Sequence, residues 1–134
     1  MLTNQKGNLT EIEIQFLFLK NNFDIFKPIG DGNKIDLIII SPNTKIPKRV
    51  QIKTSRKTAT GFMFNAYSML GSRNKKLKRR FYTSKDIDYF ATTFNKNLYL
   101  VPIADVDKRT IVLLRLREYK NGTKPLWAKD YLIT

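Results

Sequence analysis

The seven residues KIDLIII (34–40) constrain this chain more than any other stretch. A run that is apolar at consecutive positions does not alternate. A strand built from it must be buried on both faces, and the fold must supply a layer above and a layer below. The polar SPNT (41–44) turns the chain, and RVQIKTS (49–55) reads as the next strand. Upstream, FDIFKPI (23–29) alternates well enough for a strand, with Pro28 placing it at an edge or ending it, and GDG (30–32) makes a turn. The three strands read as an antiparallel meander.

The rest of the chain supplies the layers. Leu9, Ile12, Phe16 and Leu19 have helical spacing, and Ile14, Leu17 and Phe18 widen the apolar surface. This predicts a largely buried helix over 9–21, capped by Asn8. TATGFMFNAYSML (58–70) reads as a further strand bent at Gly61, and RNKKLKRR (73–80) as a loop. In SKDIDYFATTF (84–94), Ser84 can cap, acids occupy the first turn, and Ile87, Phe90, Ala91 and Phe94 share a face, which predicts a short helix. NLYLVPI and TIVLLRL follow as strands, and LWAKDYLIT docks as a last turn through Trp127, Tyr131 and Leu132. The expected class is α+β, an α/β sandwich around a mixed central sheet flanked by helices, in one domain spanning residues 1–134.

Two absent residue types narrow the chemistry. The chain has no cysteine and no histidine. Disulfides, thiolate or imidazole metal sites, Ser-His and Cys-His nucleophiles and a histidine general base are all excluded. Catalysis must come from carboxylates, lysine, hydroxyls or a metal held by oxygen. The N-terminal stretch lacks the pattern of a secretory signal, and no apolar run nears the roughly 20 residues of a membrane span. The expected location is intracellular, in the cytoplasm or nucleoid, with no membrane partner.

Charge points to a partner. The net charge is +14, and from Leu37 to Lys85 there are 13 basic residues and no acid. A field of that sign attracts polyanions, nucleic acid foremost. Arg73, Lys75, Lys76, Lys78, Arg79 and Arg80, with Arg49, Arg56, Lys57, Lys45 and Lys48, form the expected phosphate grip. Tyr67, Phe81 and Tyr82 are more economically read as packing groups, while Asn65, Ser68, Ser72 and Asn74 are candidates for base contacts. Phosphate contacts position a protein without reading sequence.

Within the meander sit groups that buried strands avoid. Asp36 opens one strand, and Gln51 and Lys53 lie two residues apart on the next, so they share a face. Asp36 can join them across about 5 Å. A glutamate from the first helix would complete a set of hard oxygen ligands of the kind Mg²⁺ takes, with an ammonium beside it. Each group has a plainer reading alone: a helix-start acid for the macrodipole, a solvated strand lysine, and Asp31 as a turn residue.

The stretches KGNLTE (6–11), GDGNKID (30–36) and VQIKTS (50–55) together resemble the PD-(D/E)XK nuclease superfamily. They are most similar to its group I intron-encoded homing endonucleases with a QxK motif. The resemblance implies a Mg²⁺-dependent DNA endonuclease, with Mn²⁺ able to substitute, cutting both strands of double-stranded DNA at a specific sequence. It gives Asp36 the role of main metal ligand and Gln51 that of orienting the metal or its water. Lys53 acts on the nucleophile or scissile phosphate, and Glu11 supports the site from the helix. Periodicity does not choose between Glu11 and Glu13; the family spacing after KG favours Glu11. Two departures stand out: Ile35 replaces the motif's proline, and Gln51 replaces its second acid, so metal binding should be weaker. One site per chain implies a homo-oligomer, dimer or tetramer, with the late strands or aromatic tail as candidate interfaces. The competing readings are a Holliday-junction resolvase-like nuclease and a catalytically inactive nucleic-acid-binding protein.

Overall fold

The structure, a computed structural model, describes residues 2–71, 76–106, 109–118 and 124–134. The helix α1 (Thr3–Lys20) leads into β1 (Asp24–Phe26), β2 (Leu37–Ile40) and β3 (Pro47–Ile52). Residues Asp24, Ile25 and Phe26 pair antiparallel with Ile40, Ile39 and Ile38, and Leu37 to Ile40 pair antiparallel with Val50 to Pro47. The expected meander is therefore present. Short strands β4 (Arg56–Lys57), β5 (Gly61–Asn65), β6 (Tyr67–Leu70) and β7 (Lys78–Phe81) precede β8 (Tyr89–Phe94) and β9 (Asn97–Pro102). The chain closes with the short helix α2 (Ile103–Val106), β10 (Ile111–Arg115), β11 (Leu126–Trp127), a 3-10 turn (Ala128–Asp130) and β12 (Leu132–Ile133).

The central sheet has six strands in the order β1-β2-β3-β8-β9-β12, mixed because β3 and β8 run parallel. A parallel pair needs a long crossover. Here residues 53 to 88 provide it, and they contribute β4 and β5 of a four-stranded second sheet, β11-β10-β5-β4, and the two-stranded ribbon β6-β7.

The central sheet is covered on both faces, most fully at β8 and β9; β2, expected to be buried on both faces, buries Leu37 and Ile39 on one face and leaves Ile38 and Ile40 partly exposed. On one face, Ile14, Leu17 and Phe18 of α1 pack on Leu37, Ile39, Val50, Ala91, Leu98 and Leu100. On the other, Phe62, Phe64, Val112 and Leu114 of the second sheet meet Phe90, Tyr99 and Val101. The second face is thus covered by a sheet rather than by helices. Within the second sheet, β5 and β10 approach closely at Gly61, where a Cβ would lie 2.0 Å from the Leu114 carbonyl oxygen. Among the described residues, no helix is long and apolar enough to cross a membrane.

Three expectations are corrected. Residues 84–94 do not form a helix: Tyr89–Phe94 is β8, paired with both β3 and β9. A strand buried on both faces carries Phe90 and Ala91 without alternation, and with the buried Ile87 just before it this imitates helical spacing. Second, α1 starts at Thr3, so Asn8 lies within it rather than capping it. Its buried residues are Thr10, Ile14, Leu17 and Phe18, while Leu9, Ile12, Phe16 and Leu19 are 52%, 62%, 60% and 57% exposed. Third, the segment 58–70 is two strands in different sheets, and the C-terminal part of the basic run is β7 rather than loop.

Candidate active site

The β2–β3 register sets Leu37 opposite Val50. Asp36 lies just before β2, where the ladder ends, and its charge and that of Lys53 act on each other. Gln51 and Lys53, two residues apart, share a face. Asp36 is fixed at both ends: its N–H donates to the Val50 carbonyl at 2.8 Å, and its Oδ2 accepts the Ile52 N–H at 2.8 Å. Burial pushes its carboxyl above the ordinary value, against the Ile52 hydrogen bond, and the Glu11 charge pushes the same way while Lys53 and Arg80 pull it back. Asp36 is the shared member of the site, feeling an acid on one side and two cations on the other.

Glu11 and Asp36 line a cleft of about 260 Å³ with the GDG turn, including Asp31. Lys27 Nζ stands 3.9 Å from Glu11 Oε1. Glu13 faces elsewhere and accepts a hydrogen bond from Thr93 Oγ1 at 3.4 Å. Gln51 is buried, and its Oε1 has no hydrogen-bond partner.

Lys53 is held throughout. Its N–H donates to Ala91 O at 2.9 Å and its carbonyl accepts from Thr92 Oγ1 at 2.7 Å, both on β8. Its Nζ donates to Tyr67 O at 2.7 Å and to Ser68 Oγ at 3.1 Å, and lies 5.4 Å from the Tyr82 ring centroid. The Ser68 hydroxyl is also hydrogen-bonded to the Tyr82 hydroxyl. Burial pulls the Lys53 ammonium down to about 8, with Asp36 opposing and Arg80 adding to the fall. Sequence reasoning did not assign Ser68 and Tyr82 to Lys53. No local motif signals that pairing, which depends on the β6–β7 ribbon folding over the end of β3.

A sequence profile of the PD-(D/E)XK endonuclease family matches residues 1–133. The chain belongs to that family. The fold agrees: a bacterial homing endonuclease, I-Ssp6803I, superposes with a TM-score of 0.72 at 19% identity, covering 98% of this chain and 89% of that chain. Among curated proteins, no sequence relative matches. Asp36 lies in the same cleft as Glu11 and within electrostatic reach of Glu11 and Lys53.

The basic residues divide into distinct groups. Arg49 is engaged within the fold, donating to both Asp88 oxygens (3.1, 3.0 Å), to Lys85 O at 2.6 Å and to Ser84 O at 2.8 Å. Arg56, Lys57, Lys76, Lys78 and Arg79 are exposed, with Arg56 donating to Asn65 Oδ1 at 3.0 Å and Arg79 lying 4.5 Å from the Tyr67 centroid. Arg80 is half-buried beside the site. Tyr82 packs into the core and is 8% exposed. Arg73, Lys75, Ser72 and Asn74 lie outside the described residues.

Among the described residues, no group of three or more His, Cys, Asp or Glu side chains gathers to hold a metal. Glu11 and Asp36 supply two carboxylates, and the unpartnered, buried Oε1 of Gln51 is an oxygen acceptor that nothing in the fold satisfies. All are hard oxygen donors, and such a set fits a divalent cation that keeps water and bridges to phosphate.

Proposed function

We propose that this chain is a divalent-metal-dependent DNA endonuclease that hydrolyses phosphodiester bonds, making sequence-specific double-strand cuts of the homing type. The observation that carries the reading is the desolvated Lys53 ammonium, held by three groups of the β6–β7 region and within electrostatic reach of Asp36, in a chain of charge +14. A lysine placed only for solubility has no reason to be buried and oriented in this way. The likeness of the fold to a homing endonuclease supports the sequence-specific form of the reading.

Asp36, Glu11 and the Gln51 oxygen would hold Mg²⁺, with Mn²⁺ able to substitute. When bound, the metal supplies Lewis-acid polarisation of the scissile phosphate. Lys53 places a fixed positive charge where negative charge grows on the phosphoryl oxygens, and being desolvated it acts there more strongly than in water. Glu11 opens onto the same cleft as Asp36 and can accept a proton from water entering it. The exposed cations Arg56, Lys57, Lys76, Lys78 and Arg79 hold the flanking backbone phosphates.

Each chain has one such site, so a double-strand cut uses two copies. The outer row of α1 is the face a second copy would cover. Leu9, Ile12, Phe16 and Leu19 repeat at intervals of three and four, the spacing by which one helix packs on another, and a two-fold axis brings the same row from each copy together.

The test is cleavage of supercoiled plasmid and of a fragmented genomic library with Mg²⁺, Mn²⁺ or EDTA. Cutting that requires metal, with library ends converging on one sequence, supports the proposal. DNA binding that survives EDTA without any cleavage would make the protein a binding module on a nuclease fold.

A further inference from the structure

The ribbon brings one more cation to the site than this mechanism uses. Arg80 on β7 sits opposite Ser68 on β6, and Ser68 Oγ accepts from Lys53 Nζ at 3.1 Å. The Arg80 guanidinium carbon lies 5.8 Å from the Tyr82 ring centroid, and Lys53 Nζ lies 5.4 Å from the same centroid. One aromatic ring therefore carries both cations.

Arg80 differs from its neighbours in what it lacks. Its Nε is buried and has no hydrogen-bond partner, whereas Lys78 and Arg79 on the same strand are exposed to water. A buried guanidinium donor without an acceptor is costly, and so are two like charges on one ring. An anion that faces both would remove both costs. The guanidinium's planar fork matches two oxygens of a phosphate group, which an ammonium in its place would not.

We infer that Arg80 binds the scissile phosphate itself, through its Nε and terminal nitrogens, rather than a phosphate elsewhere along the backbone. The inference rests on the nuclease reading and adds a substrate-contacting residue to it. Arg80 makes and breaks no covalent bond; it holds the phosphoryl oxygens as the bond to the leaving oxygen breaks. This separates it from Arg56, an exposed cation that would contact only flanking backbone.

The test compares wild type, Arg80→Lys, Arg80→Ala and Arg56→Ala. Single-turnover cleavage of supercoiled plasmid is measured with enzyme in saturating excess, and affinity for a plasmid-derived duplex is measured in Ca²⁺. Arg80→Ala should cut on the order of 100-fold more slowly, as loss of one transition-state donor does, while affinity changes by less than about threefold. Arg80→Lys should recover little of the rate, because it lacks the fork. Arg56→Ala should lose affinity, as a flanking backbone contact does. In wild type, the Arg80 Nε–H resonance, identified by its absence in Arg80→Lys, should move when the duplex is added. An Arg80→Ala protein that cuts within about threefold of wild type, or loses rate and affinity together as a backbone contact does, overturns the inference alone. A stationary Nε–H resonance does the same. A wild type that binds the duplex and cuts nothing with Mg²⁺ or Mn²⁺ overturns the nuclease reading as well.

Discussion

Asp36 and Ile52 are joined by a hydrogen bond that crosses from β2 to β3: Asp36 Oδ2 accepts the Ile52 N–H at 2.8 Å. The carboxylate thereby serves two ends, closing the ladder where the strands part and leaving its other oxygen toward the site. Two substitutions separate these roles. Asp36→Asn keeps an acceptor for Ile52 and should melt within a few degrees of wild type while losing cleavage. Asp36→Ala should also orphan the Ile52 N–H and cost about 1–3 kcal/mol. Urea unfolding beside plasmid cleavage reads both.

Gln51→Glu should restore a third carboxylate to the site. It would bury a second acid beside Asp36, so the metal-free protein should melt lower than wild type. Added Mg²⁺ should raise its melting temperature more than it raises that of wild type, because the metal binds the folded state more tightly. Thermal denaturation over a range of Mg²⁺ concentrations checks this. An equal response in both proteins would show that Gln51 does not face the metal.

Arg49 was expected to grip phosphate, yet its guanidinium is bound to Asp88, Lys85 and Ser84. Arg49→Ala should therefore lower the melting temperature. The Arg49 hydrogen bond holds the Asp88 carboxyl below its ordinary value, and hydrogen bonds from Thr83 and Lys34 lower Asp86. A carboxylate depressed in the folded state stabilises it above the unfolded value. That contribution is present above about pH 4 and lost as pH falls through the folded value. The melting temperature should fall with acid in that range, and less steeply in Asp88→Asn.

The meander shows what sequence pattern conveys well. Its strands followed from one uninterrupted apolar run and one alternating strand bounded by turn residues, though not their register. Gln51 and Lys53 share a face in any register because they lie two residues apart. Elsewhere, pattern misled where two geometries share a signature. Phe90 and Ala91 are apolar because β8 lies between two layers, and with the buried Ile87 just before the strand their spacing looks like one helical face. The role of Ser68 and Tyr82 was illegible because it arises from a ribbon 15 and 29 residues beyond Lys53 folding back over it.

The helix α1 was legible as a helix, but not which of its faces is covered. Leu9→Gln with Phe16→Gln should leave monomer stability nearly unchanged, since exposed substitutions cost within about 0.5 kcal/mol each. The mass measured by light scattering should fall. Ile14→Ala on the buried face should instead cost about 2–5 kcal/mol. An unchanged mass in the double variant would remove α1 from the interface.

The most direct measurement of the central claim sets wild type beside Lys53→Ala on supercoiled plasmid, with Mg²⁺ and with EDTA, and records DNA affinity for each. The account predicts that wild type cuts only with metal, while Lys53→Ala binds within about threefold of wild-type affinity and cuts at least about 100-fold more slowly. Equal cleavage by both proteins would contradict it, because the one buried, oriented ammonium at the end of β3 would then have no part in the chemistry.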